Sequence, residues 1–403
     1  MPQSSNSKQL KNTKSIINFQ DIPTEVLDII KKLQKNNFQA FIVGGAIRDL
    51  LTNLKPKDFD IATDATPEQI KKLFNNARII GRRFKLVHIY FGREIIEVST
   101  FRSKPAIKET LKNGVVKDNE YGSVDDDAKR RDFSMNAIYF DPIHNEFLDF
   151  FNGIEDIKKK KLVVIGDIAQ RLEEDPVRAI RMIRFSAKLK IKLSTTQKKH
   201  ILDTLPKLAN VPYSRLFDEI LKIFLTGHAV NSFKLFEEYG LTQLFYPSLA
   251  RNKKNMSFIM QGLKNTDDRI HNNKSINPAY LIGVFLWRDV KDLWEKKLRE
   301  HHHLIPALND AIENIIKKQN KTFPLQKRMV VTMTEIWRLQ PRFEKLKKNR
   351  VIRLFSHPRF RAAYDFMLLR SSQSEVNNEL SNWWIKFVET SDEDRKVILN
   401  KLS

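Results

Sequence analysis

The chain has 403 residues and no cysteine, which excludes structural disulfides and Cys-ligated zinc or iron–sulfur centres. Lys and Arg total 71 against 48 Asp and Glu, a formal charge of +23, so a polyanionic partner is expected, either nucleic acid or an anionic membrane surface. Its composition is 41% hydrophobic, enough for sizeable cores, yet its longest apolar run, Ala279 to Trp287, is far short of the ~20 residues that span a bilayer.

Residues 1–20 read as a disordered tail; Met1 to Lys14 is Ser-, Asn- and Lys-rich without an apolar stretch, so no secretory signal and a cytoplasmic location are expected. Val26 to Leu33 has helical spacing, and Gln39 to Val43 predicts a strand running into Gly44-Gly45. Ala46 to Leu51 follows as a short helix, and Asp58 to Ala62 as a strand of alternating polarity. Thr66-Pro67-Glu68-Gln69 is a helix start, with a Thr cap, Pro at the first helical position and Gln three residues after the cap. Leu86 to Phe91 and Glu94 to Thr100 predict strands joined by a two-residue hairpin at Gly92-Arg93. Ser103 to Asn119, with four lysines and few apolar residues, reads as a mobile loop. Ala137 to Asp141 and Glu146 to Phe151 predict two more short strands, completing an α/β head with an antiparallel or mixed sheet.

Beyond residue 165 the spacing is helical. Eight of the 12 glycines precede residue 170 and none follows Gly283, which argues against turn-rich β structure there. Pro212, Pro247, Pro278, Pro306, Pro324 and Pro341 fall at intervals that would separate helices. From Ala311 to Arg370 there are 15 Lys or Arg against four acids, whereas residues 371–403 carry four against six. The interleaved aromatics, among them Phe360 and Tyr364, share a helical face with Ala363 and Met367 and read as core. Arg342, Lys345, Lys348, Arg353, Arg359 and Arg361 are the RNA candidates from this stretch.

Gly44-Gly45-Ala46-Ile47-Arg48-Asp49 carries the first chemistry. Two glycines between a strand and a helix let backbone approach a ligand, and the helix start offers free N–H groups to phosphate, with Arg48 adding a fixed charge. Such a turn alone is often only a tight turn. Asp58 and Asp60, two apart on a strand, project from one face while Phe59 and Ile61 turn inward. Paired carboxylates repel unless a cation lies between them, so beside a phosphate-binding turn they point to a divalent metal, expected as Mg²⁺. Alone they would be a polar strand face. Asp132, in Arg130-Arg131-Asp132-Phe133, and Glu97 are the candidates for a third acid. Glu97 could equally be a surface charge, and Asp132 a partner of Arg130 or Arg131. Glu174-Asp175-Pro176-Val177-Arg178 reads first as a helix start capped by Asp175. Arg178, Arg181 and Arg184 repeat in steps of three on one face, and with Asp175 they could read the edge of a base.

With these motifs in this order, the sequence resembles the bacterial poly(A) polymerases, in the nucleotidyltransferase group that also holds the tRNA CCA-adding enzymes. The resemblance is strong over residues 38–250 and resumes at His357-Pro358-Arg359-Phe360-Arg361 and Trp383-Trp384. Gly81-Arg82-Arg83-Phe84-Lys85 with Glu94 to Val98, Tyr213-Ser214-Arg215-Leu216-Phe217 and the His-Pro-Arg-Phe-Arg segment tilt it toward poly(A) polymerase. No His-Asp dipeptide occurs, so an appended phosphohydrolase domain is not expected, and His301 to His303 reads as a surface run.

The resemblance implies an α+β chain: a small nucleotidyltransferase head with a mixed β-sheet and flanking helices over 21–157, then all-α segments. These are a neck over 158–215, a body over 216–310 and a basic C-terminal region over 311–403. It implies AMP transfer from ATP to RNA 3′ ends, with two Mg²⁺ held by Asp58 and Asp60 and Asp132 as the third acid. Gly44, Gly45 and Arg48 would seat the triphosphate, and Arg131 the sugar–phosphate. Asp175 and Arg178 would contact adenine, supported by Arg181 and Arg184. A monomer is expected. The alternatives are CCA addition to tRNA, or RNA binding with an inert head.

Overall fold

The computed structural model describes residues 8–11, 17–81, 85–103, 121–251, 256–301 and 303–402. The loop expected beyond Ser103, part of the 81–85 segment, His302 and most of the expected tail lie outside the described residues. The chain divides into two units, residues 1–208 and 209–403. The boundary expected at residue 310 falls inside a continuous helix, Leu304–Thr322.

The first unit is built on an eight-stranded sheet of order β1-β8-β7-β2-β3-β6-β5-β4. The strands are β1 (Lys8–Lys11), β2 (Ala40–Val43), β3 (Asp60–Thr63), β4 (Ala77–Ile80), β5 (Leu86–Phe91), β6 (Glu94–Thr100), β7 (Ile138–Asp141) and β8 (Glu146–Asp149). Every pairing is antiparallel except β3 with β6, which is parallel, so the sheet is mixed as expected. Two strands were not legible. β4 is only four residues long, and β1 lies within the expected tail, held by backbone pairing to the edge of β8.

Both faces of the sheet centre are covered. In β2, Ala40 and Ile42 join one apolar core with Ile29, Leu33, Ile47 and Ile61, while Phe41 and Val43 join another with Ala62, Phe101 and Tyr139. That explains why β2 reads as a continuous apolar run rather than an alternating one. The helices of this unit are α1 (Thr24–Lys35), α2 (Gly45–Leu51), α3 (Pro67–Leu73), α4 (Val124–Arg130), α5 (Gly153–Lys158), α6 (Ile168–Glu174), α7 (Val177–Leu189) and α8 (Thr195–Thr204). The capping box at Thr66 and Gln69 forms as its spacing required.

The second unit is helical throughout its described residues. It runs through α9 (Tyr213–Phe224), α10 (Ala229–Glu238), α11 (Leu241–Phe245), α12 (Pro247–Arg251), α13 (Met256–His271) and α14 (Pro278–His301). It continues through α15 (Leu304–Thr322), α16 (Lys327–Phe343), α17 (Lys348–Phe355), α18 (Phe360–Ser371), α19 (Asn378–Glu389) and α20 (Asp392–Asn400). Pro306 and Pro341 do not separate helices: Pro306 sits in the first turn of α15, where no N–H is needed, and Pro341 in the last turn of α16. Phe343, Phe360, Ala363, Tyr364 and Met367 pack together with Trp384, whose Nε1 donates to the Phe343 carbonyl at 3.0 Å. Those aromatics are core, as their spacing predicted. Among the described residues no helix is long and apolar enough to cross a membrane.

Candidate active site

β2 ends at Val43, and the chain turns at Gly44 into α2. Gly44 has φ +76°, a conformation that costs glycine little. A Cβ there would lie 3.3 Å from Arg131 Nη1, a tight contact that the bare backbone avoids, and 4.0 Å from Asp60 Oδ2, an ordinary one. Val43 pairs with Asp60 across β2 and β3, which sets the carboxylate beside the turn.

Asp60 opens β3, while Asp58 lies in the loop before it rather than on the strand as expected. Both are exposed, and Phe59 and Ile61 turn toward the core. Parallel pairing of β3 with β6 sets Asp60 opposite Glu97, and Glu97 in turn lies opposite His88 on β5. The Asp60 carboxylate is solvent-accessible but crowded by protein. Its pKa is pushed up to about 6, first by that burial and then by Glu97, with Asp58 adding to the rise and Arg131 opposing it. Carboxylate oxygens are donors that suit a hard divalent cation, and two further acids, Glu97 and Asp58, bear on Asp60. Among the described residues, no three His, Asp or Glu side chains are gathered tightly enough to hold a metal ion alone.

Asp132 has other partners. Its Oδ1 accepts from Asn136 Nδ2 at 3.0 Å, and its Oδ2 pairs with Arg181 at 3.4 Å. Of the two candidates for a third acid, the fold therefore brings Glu97, not Asp132, to Asp60.

Arg48 is buried, only 6% exposed. Its Nε and Nη2 donate to Asp49 Oδ1, its Nη1 donates to Asn136 Oδ1 at 2.8 Å, and its guanidinium lies over the Phe185 ring. The other Asp49 oxygen accepts from Lys188 Nζ at 2.7 Å. A closed circuit results: Lys188 to Asp49, Arg48, Asn136, Asp132 and back through Arg181 to α7. Three of the five N–H donors of Arg48 are thus engaged within the protein, and its guanidinium lies beside the turn, 3.4 Å from where a Cβ on Gly45 would stand.

Arg131 is held by Asp127 and by the Tyr139 hydroxyl, each at 3.0 Å, and the hydroxyl itself donates to Asp127 at 2.6 Å. Burial works against the Arg131 charge, but Tyr139 and Asp127 outweigh it and hold its pKa above the ordinary value. Arg131 therefore stays a fixed cation at the turn.

On α7, Arg178, Arg181 and Arg184 are half-buried along one face, and Lys188 extends the row by a further turn. Asp175, which ends α6, accepts from the Val177 N–H through Oδ1 at 3.2 Å, and Pro176, not Asp175, stands at the cap position of α7. Arg178 donates to the Arg171 carbonyl at 2.6 Å, and Arg184 lies over Phe185. Asp49, Asn136, Asp127, Tyr139 and Lys188 were missed. Two had a signal: Asp49 closes the Gly44-to-Asp49 motif, and Lys188 stands four residues after Arg184.

In the second unit, Arg359 pairs with Glu335 at 3.0 Å, Arg361 with Asp365 at 3.1 Å, and Lys348 donates to Asn400. Arg342, Lys345 and Arg353 are exposed.

Three families match along the chain: the poly A polymerase head domain over residues 40–163, a probable RNA and SrmB-binding site of polymerase A over 191–253, and the polymerase A arginine-rich C-terminus over 300–403. The chain is 37% identical to poly(A) polymerase I of Haemophilus influenzae, covering 96% of this chain and 89% of that protein. It is 32% identical to the CCA-adding enzyme of Lactobacillus helveticus, but over only 55% of each. The fold is similar to that of the Bacillus stearothermophilus CCA-adding enzyme solved with CTP, with a TM-score of 0.55 at 24% identity over 89% of this chain and 80% of that one.

Proposed function

The chain belongs to the bacterial poly(A) polymerase family, and from that membership we propose that it adds AMP from ATP to RNA 3′ ends without a template, releasing pyrophosphate. One observation carries this reading over CCA addition: sequence similarity to poly(A) polymerase I runs through 96% of the chain at 37% identity, whereas sequence similarity to CCA-adding enzymes covers 55% of it in one relative and 62% in another.

Asp58 and Asp60, with Glu97 beside Asp60, are the residues that would hold the divalent metal together with substrate phosphates, expected as two Mg²⁺, which when bound lowers the pKa of an RNA 3′-hydroxyl and offsets charge on the triphosphate and leaving group. The crowding of Asp60 by Glu97 and Asp58 supports this, because a cation would relieve it. The Gly44-Gly45 turn receives the triphosphate at close range, with Arg131 as the fixed cation beside it. Arg48 acts indirectly, by keeping the turn in shape through Asp49 and Asn136. Asp132 holds Arg181 in place on the row formed by Arg178, Arg181 and Arg184, and that row, with Asp175, faces the adenine. Arg342, Lys345, Lys348, Arg353, Arg359 and Arg361 hold the RNA backbone. The protein acts as a cytoplasmic monomer.

Purified protein incubated with a generic RNA and each nucleoside triphosphate separately tests the reading. ATP-dependent extension of that RNA is expected. Efficient use of CTP on a tRNA lacking its CCA end, with no A-tailing of other RNAs, would overturn it in favour of CCA addition.

A further inference from the structure

Within the second unit, α15, α16 and α17 enclose a cavity of about 570 Å³. That lies within the roughly 300–1,000 Å³ of pockets that take small-molecule ligands. Its rim is cationic. Arg338 and Arg342 come from α16, Lys345 from the link that follows, and Arg350 and Arg353 from α17. No carboxylate lines it. Arg342, Lys345, Arg350 and Arg353 have no side-chain partner among the described residues, and Arg338 meets only the neutral amide of Asn309, at 2.9 Å.

The floor is aliphatic, formed by Ile305, Leu308, Pro341 and Leu354. Ile305 is 45% exposed, an open apolar surface beside five cations. A second cavity in the same unit, of about 670 Å³, also contains arginines, but there the charge is balanced. Arg269 and Arg361 both pair with Asp365, and Arg359 pairs with Glu335. Of these two cavities, the first combines unpaired cations with an open apolar floor.

Unpaired guanidinium forks match phosphate oxygens, and the flat face of a base can lie against aliphatic surface or a guanidinium plane. The enclosure is the size of a ligand pocket, not of an extended membrane-binding face. We propose that this cavity docks one nucleotide of single-stranded RNA, with its base on the Ile305 and Leu308 floor and the flanking phosphates on Arg342, Arg350 and Arg353. The identity of the ligand rests on the RNA 3′-end reading above, so binding is measured apart from catalysis.

The test measures binding by the full-length protein of labelled oligoadenylate of about twelve residues, against an abasic ribose–phosphate chain of equal length, with salt raised from about 0.1 M. An Arg342→Ala/Arg353→Ala variant is expected to bind oligoadenylate about tenfold more weakly. Its salt dependence should flatten by about 1.4 in log–log slope, at ~0.7 per phosphate contact on single strands. Ile305→Ser is expected to weaken oligoadenylate binding several-fold while leaving the abasic chain unaffected. Lys386→Ala/Lys401→Ala removes equal charge elsewhere in the unit and is expected to change binding by less than about twofold, because distant charges are screened. An equal loss in that control pair, wild-type binding by the cavity variants, or displacement of the oligonucleotide by phosphatidylserine vesicles overturns the proposal. Absent AMP transfer with cavity-dependent binding intact would remove the enzymatic reading and leave this site. Intact transfer with binding unmoved by the variants would remove this site alone.

Discussion

Asp60 and Glu97 face each other across the parallel pairing of β3 with β6, in a sheet whose other described pairings are antiparallel. Two like charges are thereby fixed on adjacent strands by backbone register, which side-chain rotation alone cannot undo. The metal-free protein carries that repulsion at rest.

Replacing Asp60 with Asn should therefore act in opposite directions on stability and activity. In chelator, Asp60→Asn is expected to raise the melting temperature of the first unit by on the order of 1–2 °C, since a sub-kilocalorie relief translates into a shift of that size. AMP transfer should fall by roughly 10²–10³-fold through loss of electrostatic stabilisation. Thermal melts with and without Mg²⁺ check it: the ion should stabilise the wild type and leave the variant unmoved. Lower stability in chelator would contradict the repulsion.

Glu97 and Asp132 should separate in their kinetics. Glu97→Gln is expected to raise the Mg²⁺ concentration needed for half-maximal rate, because it removes a carboxylate bearing on Asp60. Asp132→Asn loosens Arg181 instead and should mainly raise the KM for ATP. Titrating Mg²⁺ at fixed ATP, then ATP at fixed Mg²⁺, distinguishes them, and the opposite pattern would reverse the roles.

Asp49 lies between Arg48 and Lys188 at hydrogen-bond distance from both. Asp49→Ala would leave two half-buried or buried cations without their shared counter-charge. A loss of about 3–5 kcal/mol is expected from breaking such a buried pair. Denaturant unfolding measures it. The surface substitution Lys159→Ala, which removes an exposed pair with Glu155, should cost under about 1 kcal/mol.

RNA affinity should fall steeply with ionic strength, because each phosphate contact releases counterions at a slope of ~0.7 per contact for single strands. Six contacts would make the log–log slope about −4. Titrations between about 50 and 200 mM salt decide it, and a flat response would remove the role given to the basic residues of α16 to α18.

Most of the head was legible because its signals are local. The Thr66 capping box, the Gly92-Arg93 turn and the glycines at 44 and 45 each specify backbone within a few residues. What was not legible depends on pairing at long range. Nothing near Glu97 in sequence tells that it meets Asp60, 37 positions away, rather than solvent; the parallel register does. The partners of Arg48 were hidden for the same reason. Its motif suggests phosphate, but Asn136 and Phe185, remote in sequence, enclose it. Arg359 stands in a basic run, yet Glu335 of α16 meets it through helix packing, whereas the pairing of Arg361 with Asp365 is one turn of α18 and was open to reading from the spacing.

The circuit that leaves α7 at Lys188 and returns to it at Arg181 has a consequence for motion. Its members on α2 and α7 cannot separate without several buried polar groups losing partners together, so amide protons in these two helices should exchange as one cooperative unit. A slow concerted opening of α2 and α7 together follows, in place of independent fraying at either helix.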